Sequence, residues 1–117
     1  MKMIEKCLQL LNQLFEELTY IEGKDNRSEG YNCAIDCLKD GLNTRIELIT
    51  EQCEEHDDDS EYCATTVIGE MLDLFKVIDE CSESIDVKIK EGYNLAVSDF
   101  TIKTKPIVLW LLNFIKT

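Results

Sequence analysis

Ile4, Leu8, Leu11, Phe15 and Leu18 recur four, three, four and three residues apart, and Val67, Met71, Leu74, Ile78 and Cys81 repeat that spacing further along the chain. Such a period returns to one face of an α-helix but scatters over both faces of a strand, so each stretch reads as a helix with an apolar seam against a partner. Cys7, Leu10, Leu14 and Ile21 widen the first stripe, which predicts a helix over roughly 3 to 21. "EGKDNRS" then supplies a glycine and several capping side chains, a turn. A second helix is expected from about Ser28, with Ala34, Ile35, Leu38, Leu42, Ile46, Ile49 and Cys53 inward.

The remaining elements follow from the same signals. Asp58 with Glu61 three residues on reads as a capping box for a third helix over about 60 to 81. Ser82 or Ser84 can cap a fourth, with Ile85, Ile89, Ala96 and Phe100 inward, and Thr104 with Pro106 in a first turn can open a fifth. A single proline and five glycines leave little punctuation for a many-stranded fold. The expected fold class is all-α, one domain over residues 1–117, an antiparallel bundle of four to five helices joined by short turns.

"EGYNCAI" at Glu29 to Ile35 echoes "EGYNLAV" at Glu91 to Val97, with five identities at an offset of 62, while the two apolar seams superpose at an offset of 63. Two related helical hairpins would explain both echoes; the alternative is that any two helices of this spacing align, which leaves the short string alone as the sign of a repeat. Glycine inside a helix then marks close helix packing, and the tyrosine after it carries a hydroxyl to the bundle edge.

Several classes are disfavoured. The N-terminal stretch is interrupted by Glu5, Lys6, Gln9, Asn12 and Gln13, so no signal peptide is expected. "PIVLWLLNFI", ten residues long, is about half of what a membrane span needs. Six cysteines without a targeting segment point to reduced thiols in the cytosol, most of them at apolar positions of helical patterns. No glycine-rich phosphate loop is present, and His56, the one histidine, cannot complete a serine triad.

Three chemistries can be set against the residues. Glu51, Glu54, Glu70 and Asp73 resemble the ExxE and ExxD pairs with which all-α nucleotide pyrophosphohydrolases hold magnesium. With a turn centred near Asp58, however, the two pairs are expected to miss each other by roughly 12 Å along the helices. Cys33, Cys37, Cys53, His56 and Cys63 could be imagined as zinc ligands, but they are spread too widely for the usual close ligand pair. A Cys53–His56 nucleophile is opposed by seven nearby carboxylates, which disfavour a thiolate. No catalytic residue, metal or cofactor is expected.

What remains is charge. "TEQCEEHDDDSEYC", Thr50 to Cys63, holds seven carboxylates, and from Glu47 to Asp86 the chain carries fourteen acidic residues against one basic, Lys76, a net charge of −13 within a total of −12. Direct nucleic-acid binding is therefore disfavoured, since phosphate needs clustered lysine and arginine. Asp57, Asp58 and Asp59 stand near the start of the third helix, where the helix dipole favours them, but Glu51, Glu54 and Glu55 stand at the end of the second, where it does not. Solubility needs no such placement, so the field itself is expected to be used.

In size, acidity and lack of a catalytic signature the chain resembles small phage-encoded inhibitors of host defence, anti-CRISPR proteins above all, and "EGYN" followed by alanine and an aliphatic residue is similar to strings in small phage and mobile-element proteins. The resemblance implies a nucleic-acid mimic in the host cytoplasm. Its partner would be a protein with a basic surface, a CRISPR effector or another nucleic-acid-handling protein, met through Glu47, Glu51, Glu54, Glu55, Asp57, Asp58, Asp59 and Glu61. No membrane partner is expected. The alternatives are an assembly protein that dimerises through the apolar C-terminal helix around Trp110, and a magnesium-dependent pyrophosphohydrolase.

Overall fold

Asp25 accepts a hydrogen bond from the Ser28 N–H at 2.8 Å, and Asp59 accepts one from Tyr62 N–H at 3.0 Å; these two N-caps start the second and third helices. The computed structural model, which describes residues 1–115, contains α1 (Met3–Glu16), α2 (Asn26–Cys53), α3 (Ser60–Ser82) and α4 (Lys90–Leu112), with single 3-10 turns at Glu54–His56 and Val87–Ile89. No strand forms among the described residues. The helices run alternately up and down in a bundle measuring 47 × 24 × 22 Å.

The first helix has no side-chain cap. Its Ile4 N–H donates instead to the Asp57 carbonyl at 3.1 Å, so the turn between α2 and α3 satisfies one of its orphan donors. The core is the expected seam: Ile4, Leu11, Leu18, Ala34, Ile35, Leu38, Leu42, Ile49, Val67, Met71, Leu74 and Ile78 are all buried, with Ala96 and Phe100 from α4.

Several boundaries differ from the sequence expectation. The first helix ends at Glu16 and not at 21, because the β-branched and aromatic run Thr19, Tyr20, Ile21 disfavours helix and finds other partners. Ile21 N–H donates to Asn32 Oδ1 at 2.8 Å, and Asn32 Nδ2 donates to the Ile21 carbonyl at 3.0 Å. The cap of α3 is Asp59, not Asp58. Ser82 and Ser84 end α3 rather than start α4, their hydroxyls donating to the Asp79 and Cys81 carbonyls.

Thr104 and Pro106 open no fifth helix, since α4 runs through both. The Thr104 hydroxyl donates back to the Thr101 carbonyl at 2.8 Å. Pro106 and Ile102 are exposed, and solvent there can meet the Ile102 carbonyl that a proline leaves without its helical donor.

The echoed strings meet. A methyl group at Gly30 would lie 1.8 Å from the Ile89 carbonyl oxygen and 2.9 Å from the Tyr93 nitrogen, and one at Gly92 would lie 1.8 Å from the Arg27 carbonyl oxygen and 2.9 Å from the Tyr31 nitrogen. The two sets of partners differ by the repeat offset, so α2 and α4 cross backbone to backbone about an approximate two-fold axis, and the fold is a pair of related hairpins, α1–α2 and α3–α4. Tyr31 from α2 donates its hydroxyl to Asp99 of α4 at 3.1 Å, near the surface as expected. Tyr93 is buried completely instead, and donates to the Ile78 carbonyl of α3 at 3.1 Å.

Glycine's poor helix propensity costs about 1 kcal/mol at an interior position, so an alanine exchange separates propensity from packing. Gly69 of α3 has nothing within 4 Å of where a methyl would stand. Gly69→Ala is expected to raise unfolding stability by about 0.5–1 kcal/mol. Gly30→Ala and Gly92→Ala are each expected to lower it by about 1–3 kcal/mol despite the same propensity gain, because the obstacle is backbone and the helices must part. Denaturant unfolding of the three variants checks both signs.

Candidate functional site: the acidic end of the bundle

Glu47, Glu51 and Glu54 are four and three residues apart, which puts them on one face of α2 and its 3-10 extension. That face borders α1. Between the two helices lies a groove of about 510 Å³, floored by Ile4, Leu8 and Ile46 and walled by Glu47, Glu51, Glu54 and Asp57, with Glu5 on the α1 side. Four of the eight sequence-predicted site residues therefore share one concave surface, to which α1 adds a fifth carboxylate that the sequence reading missed.

One cation sits among them. Lys2 Nζ lies 2.7 Å from Asp57 Oδ2. The hydrogen bond from Lys2 holds the Asp57 carboxyl below its ordinary value, against the opposing effect of desolvation, and the same bond raises the Lys2 ammonium. The other three carboxylates on the α2 side of the groove, those of Glu47, Glu51 and Glu54, are exposed to solvent.

The remaining four predicted residues are placed elsewhere. Glu55 and Asp58 are exposed at the end of the bundle. Asp59 is committed to capping α3, and with Glu61, Tyr62 and Thr65 it lines a separate shallow dent of about 320 Å³. Beside it the His56 ring stacks on Tyr62, centroids 4.1 Å apart. The acidic run thus forms two surfaces, a groove on the α1 side and a shallow face around the start of α3.

Glu70 and Asp73 face α2 near Arg45, about two turns before Glu51 and Glu54, with Leu74 against Gly41 in the same register. The Gln52 side chain reaches Glu70 from the last turn of α2, its Nε2 donating to Glu70 Oε1 at 3.5 Å. What occupies these two carboxylates is Arg45, a buried arginine whose Nη2 donates to Asp73 Oδ2 at 2.7 Å and whose Nε lies 3.9 Å from Glu70 Oε2. Among the described residues, Arg45 Nε and Glu70 Oε2 are buried without a hydrogen-bond partner. Arg45 was legible only as a lone cation just ahead of the acidic half.

The cysteines divide into two groups at opposite ends. Cys33 and Cys53 are twenty residues apart on α2, roughly 30 Å, so the five residues considered for zinc cannot converge. Among the described residues, no three His, Cys, Asp or Glu side chains are grouped to hold a metal ion. All six thiols are unpaired. Burial pushes Cys7 up to about 11, and burial followed by the neighbouring Cys53 pushes Cys63 up to about 12, so neither is a nucleophile near neutrality. No helix of the described residues is long and apolar enough to cross a membrane.

Arg45 carries a checkable consequence. Its side chain is 10% exposed, Glu70 20% and Asp73 54%. Arg45→Ala strands the Glu70 carboxylate and is expected to cost about 2 kcal/mol, while Arg45→Met combined with Glu70→Leu is expected to cost less than about 1 kcal/mol, since Asp73 can turn to water. Chemical denaturation of both variants decides; an Arg45→Ala protein as stable as the native one would mean the pair contributes nothing. Compared with protein-family models, with curated proteins and with solved structures, the chain matches none.

Proposed function

We propose that this protein is an acidic binding protein that occupies a basic, nucleic-acid-binding surface of another protein, as a phage-type inhibitor of a host defence effector of the CRISPR kind would. The observation that carries the reading is the row Glu47, Glu51, Glu54. These three exposed carboxylates extend over about 10 Å of helix, and one strand of duplex DNA presents about three phosphates in the same length. A basic groove that binds a phosphate strand would meet a similar linear charge density, held on a rigid helix and without bases to read.

The two-fold relation of the hairpins strengthens this. The positions that correspond to Glu47 and Glu51 are Leu109 on α4 and Asn113 just past its end, so the acids belong to one hairpin's surface and not to the shared packing pattern. The dipole at the end of α2 opposes them, and no basic residue stands in its last turn.

A second reading has its own observation. Ile102, Leu109 and Leu112 are exposed at 67, 56 and 49% and fall near one side of α4, which would suit an isologous contact between two copies, with the acidic end left to solvent.

The test uses Glu47→Gln/Glu51→Gln/Glu54→Gln, which keeps side-chain length and nearly the same helix propensity. The native protein is expected to displace double-stranded DNA from a susceptible CRISPR effector, with affinity falling steeply as salt is raised. The triple variant is expected to be more thermostable, to displace DNA at least tenfold less well, and to show a shallower salt dependence. A variant that is more stable and displaces DNA equally well would reject the mimic. Light scattering that reports a dimer, together with no displacement by either protein, would favour the second reading.

A further inference from the structure

The two hairpins are closed differently. In the first, residues 17–25 leave α1 and pass over the start of α2, where the Asn32 amide clasps the backbone of Ile21 at both its N–H, 2.8 Å, and its carbonyl, 3.0 Å. Tyr20 bonds Asp36 one turn further on. In the second hairpin α3 continues to Ser82, three residues beyond the position that corresponds to the end of α1, and no such strap forms. The residue related to Asn32 by the crossing is Asn94. It is exposed, its amide is unmatched by any group of the described residues, and it opens on a groove of about 410 Å³ between α3 and α4, with Phe75, Ile78 and Val97 as apolar lining.

We infer that this groove docks an extended segment of a partner protein, one residue of which is clasped through its backbone by Asn94 as Ile21 is by Asn32. The first hairpin shows what the geometry accepts: an extended chain with neighbouring aromatic and aliphatic side chains. Charge selects the rest. Asp79 lies on the groove wall beside Lys76, Glu83 stands one turn beyond it and Glu91 one turn before Asn94, so the segment carries lysine or arginine beside its apolar residues. The groove is roughly 30 Å along the bundle from the acidic end and does not depend on what binds there.

The probe is a capped octapeptide with the sequence of residues 17–24 carrying Glu17→Lys and Glu22→Lys, titrated into the isotope-labelled full chain and followed by amide NMR shifts. A second peptide is methylated on the backbone nitrogen at the Ile21 position. The expected result is perturbation centred on Phe75, Asn94 and Val97, including the Asn94 side-chain amide. Asn94→Ala is expected to weaken binding about tenfold, as is the methylated peptide, consistent with lost backbone hydrogen bonds. Asn94→Ala is also expected to leave the melting temperature unchanged, because the side chain holds nothing in the free protein; this separates loss of the site from loss of the fold. No perturbation at millimolar peptide, shifts confined to the acidic end, or equal binding of the methylated peptide would each overturn the assignment.

Discussion

The close approach of Gly30 and Gly92 sets the geometry on which the other contacts depend. With only a hydrogen on each α-carbon, the α2 backbone reaches the Ile89 carbonyl and the α4 backbone reaches that of Arg27. Helices this close leave no room for side chains between them at the crossing, so the tyrosines that follow lie beside it. Tyr31 reaches α4 at Asp99, and Tyr93 reaches α3 at the Ile78 carbonyl. Burial and the Asp99 carboxylate both raise the Tyr31 phenol, and burial raises Tyr93 further, so both remain neutral donors under ordinary conditions. One pair of glycines thereby ties both hairpins into a single unit.

That arrangement separates stability from charge. Gly30 and Glu54 are twenty-four residues apart along α2 and the turn that extends it, roughly 36 Å. Carboxylates at the far end can change without touching the crossing, and Lys2 and Arg45 limit their effect on the fold where they come closest to the core. Lys2 joins the turn to the start of α1, and Arg45 pairs with Asp73 at the bundle surface and lies beside Glu70. The groove carboxylates Glu47, Glu51 and Glu54 are exposed and have no such structural partner among the described residues, which is the physical ground for the proposal that they bind.

Much of the fold was legible because its signals are local. The four-three spacing marked the buried seams of α1 and α3, and the repeated "EGYN" marked the crossing, since it places a glycine at matching positions of two helices. The acidic end was legible as composition, but its division into a groove and a separate dent was not: that depends on which side α1 covers, a long-range matter. The early end of α1 was hidden because Leu18 and Ile21 continue the apolar pattern, while the partner that holds the strap, Asn32, is eleven residues away. Pro106 misled for a similar reason, its effect depending on whether the freed carbonyl meets solvent. Arg45 escaped because a buried arginine looks, in sequence, like any other charged residue of a helix.

Native-state amide hydrogen exchange tests most directly whether the crossing is what the structure depends on. If α2 and α4 are joined there, the amides of Ala34–Leu38 and Ala96–Phe100 should exchange only through global unfolding, with equal free energies on the two helices, while those of Ile49–Cys53 should open at lower free energy through local fraying of the acidic end. Slowest exchange at Ile49–Cys53, with faster and unequal opening of Ala34–Leu38 and Ala96–Phe100, would contradict the account.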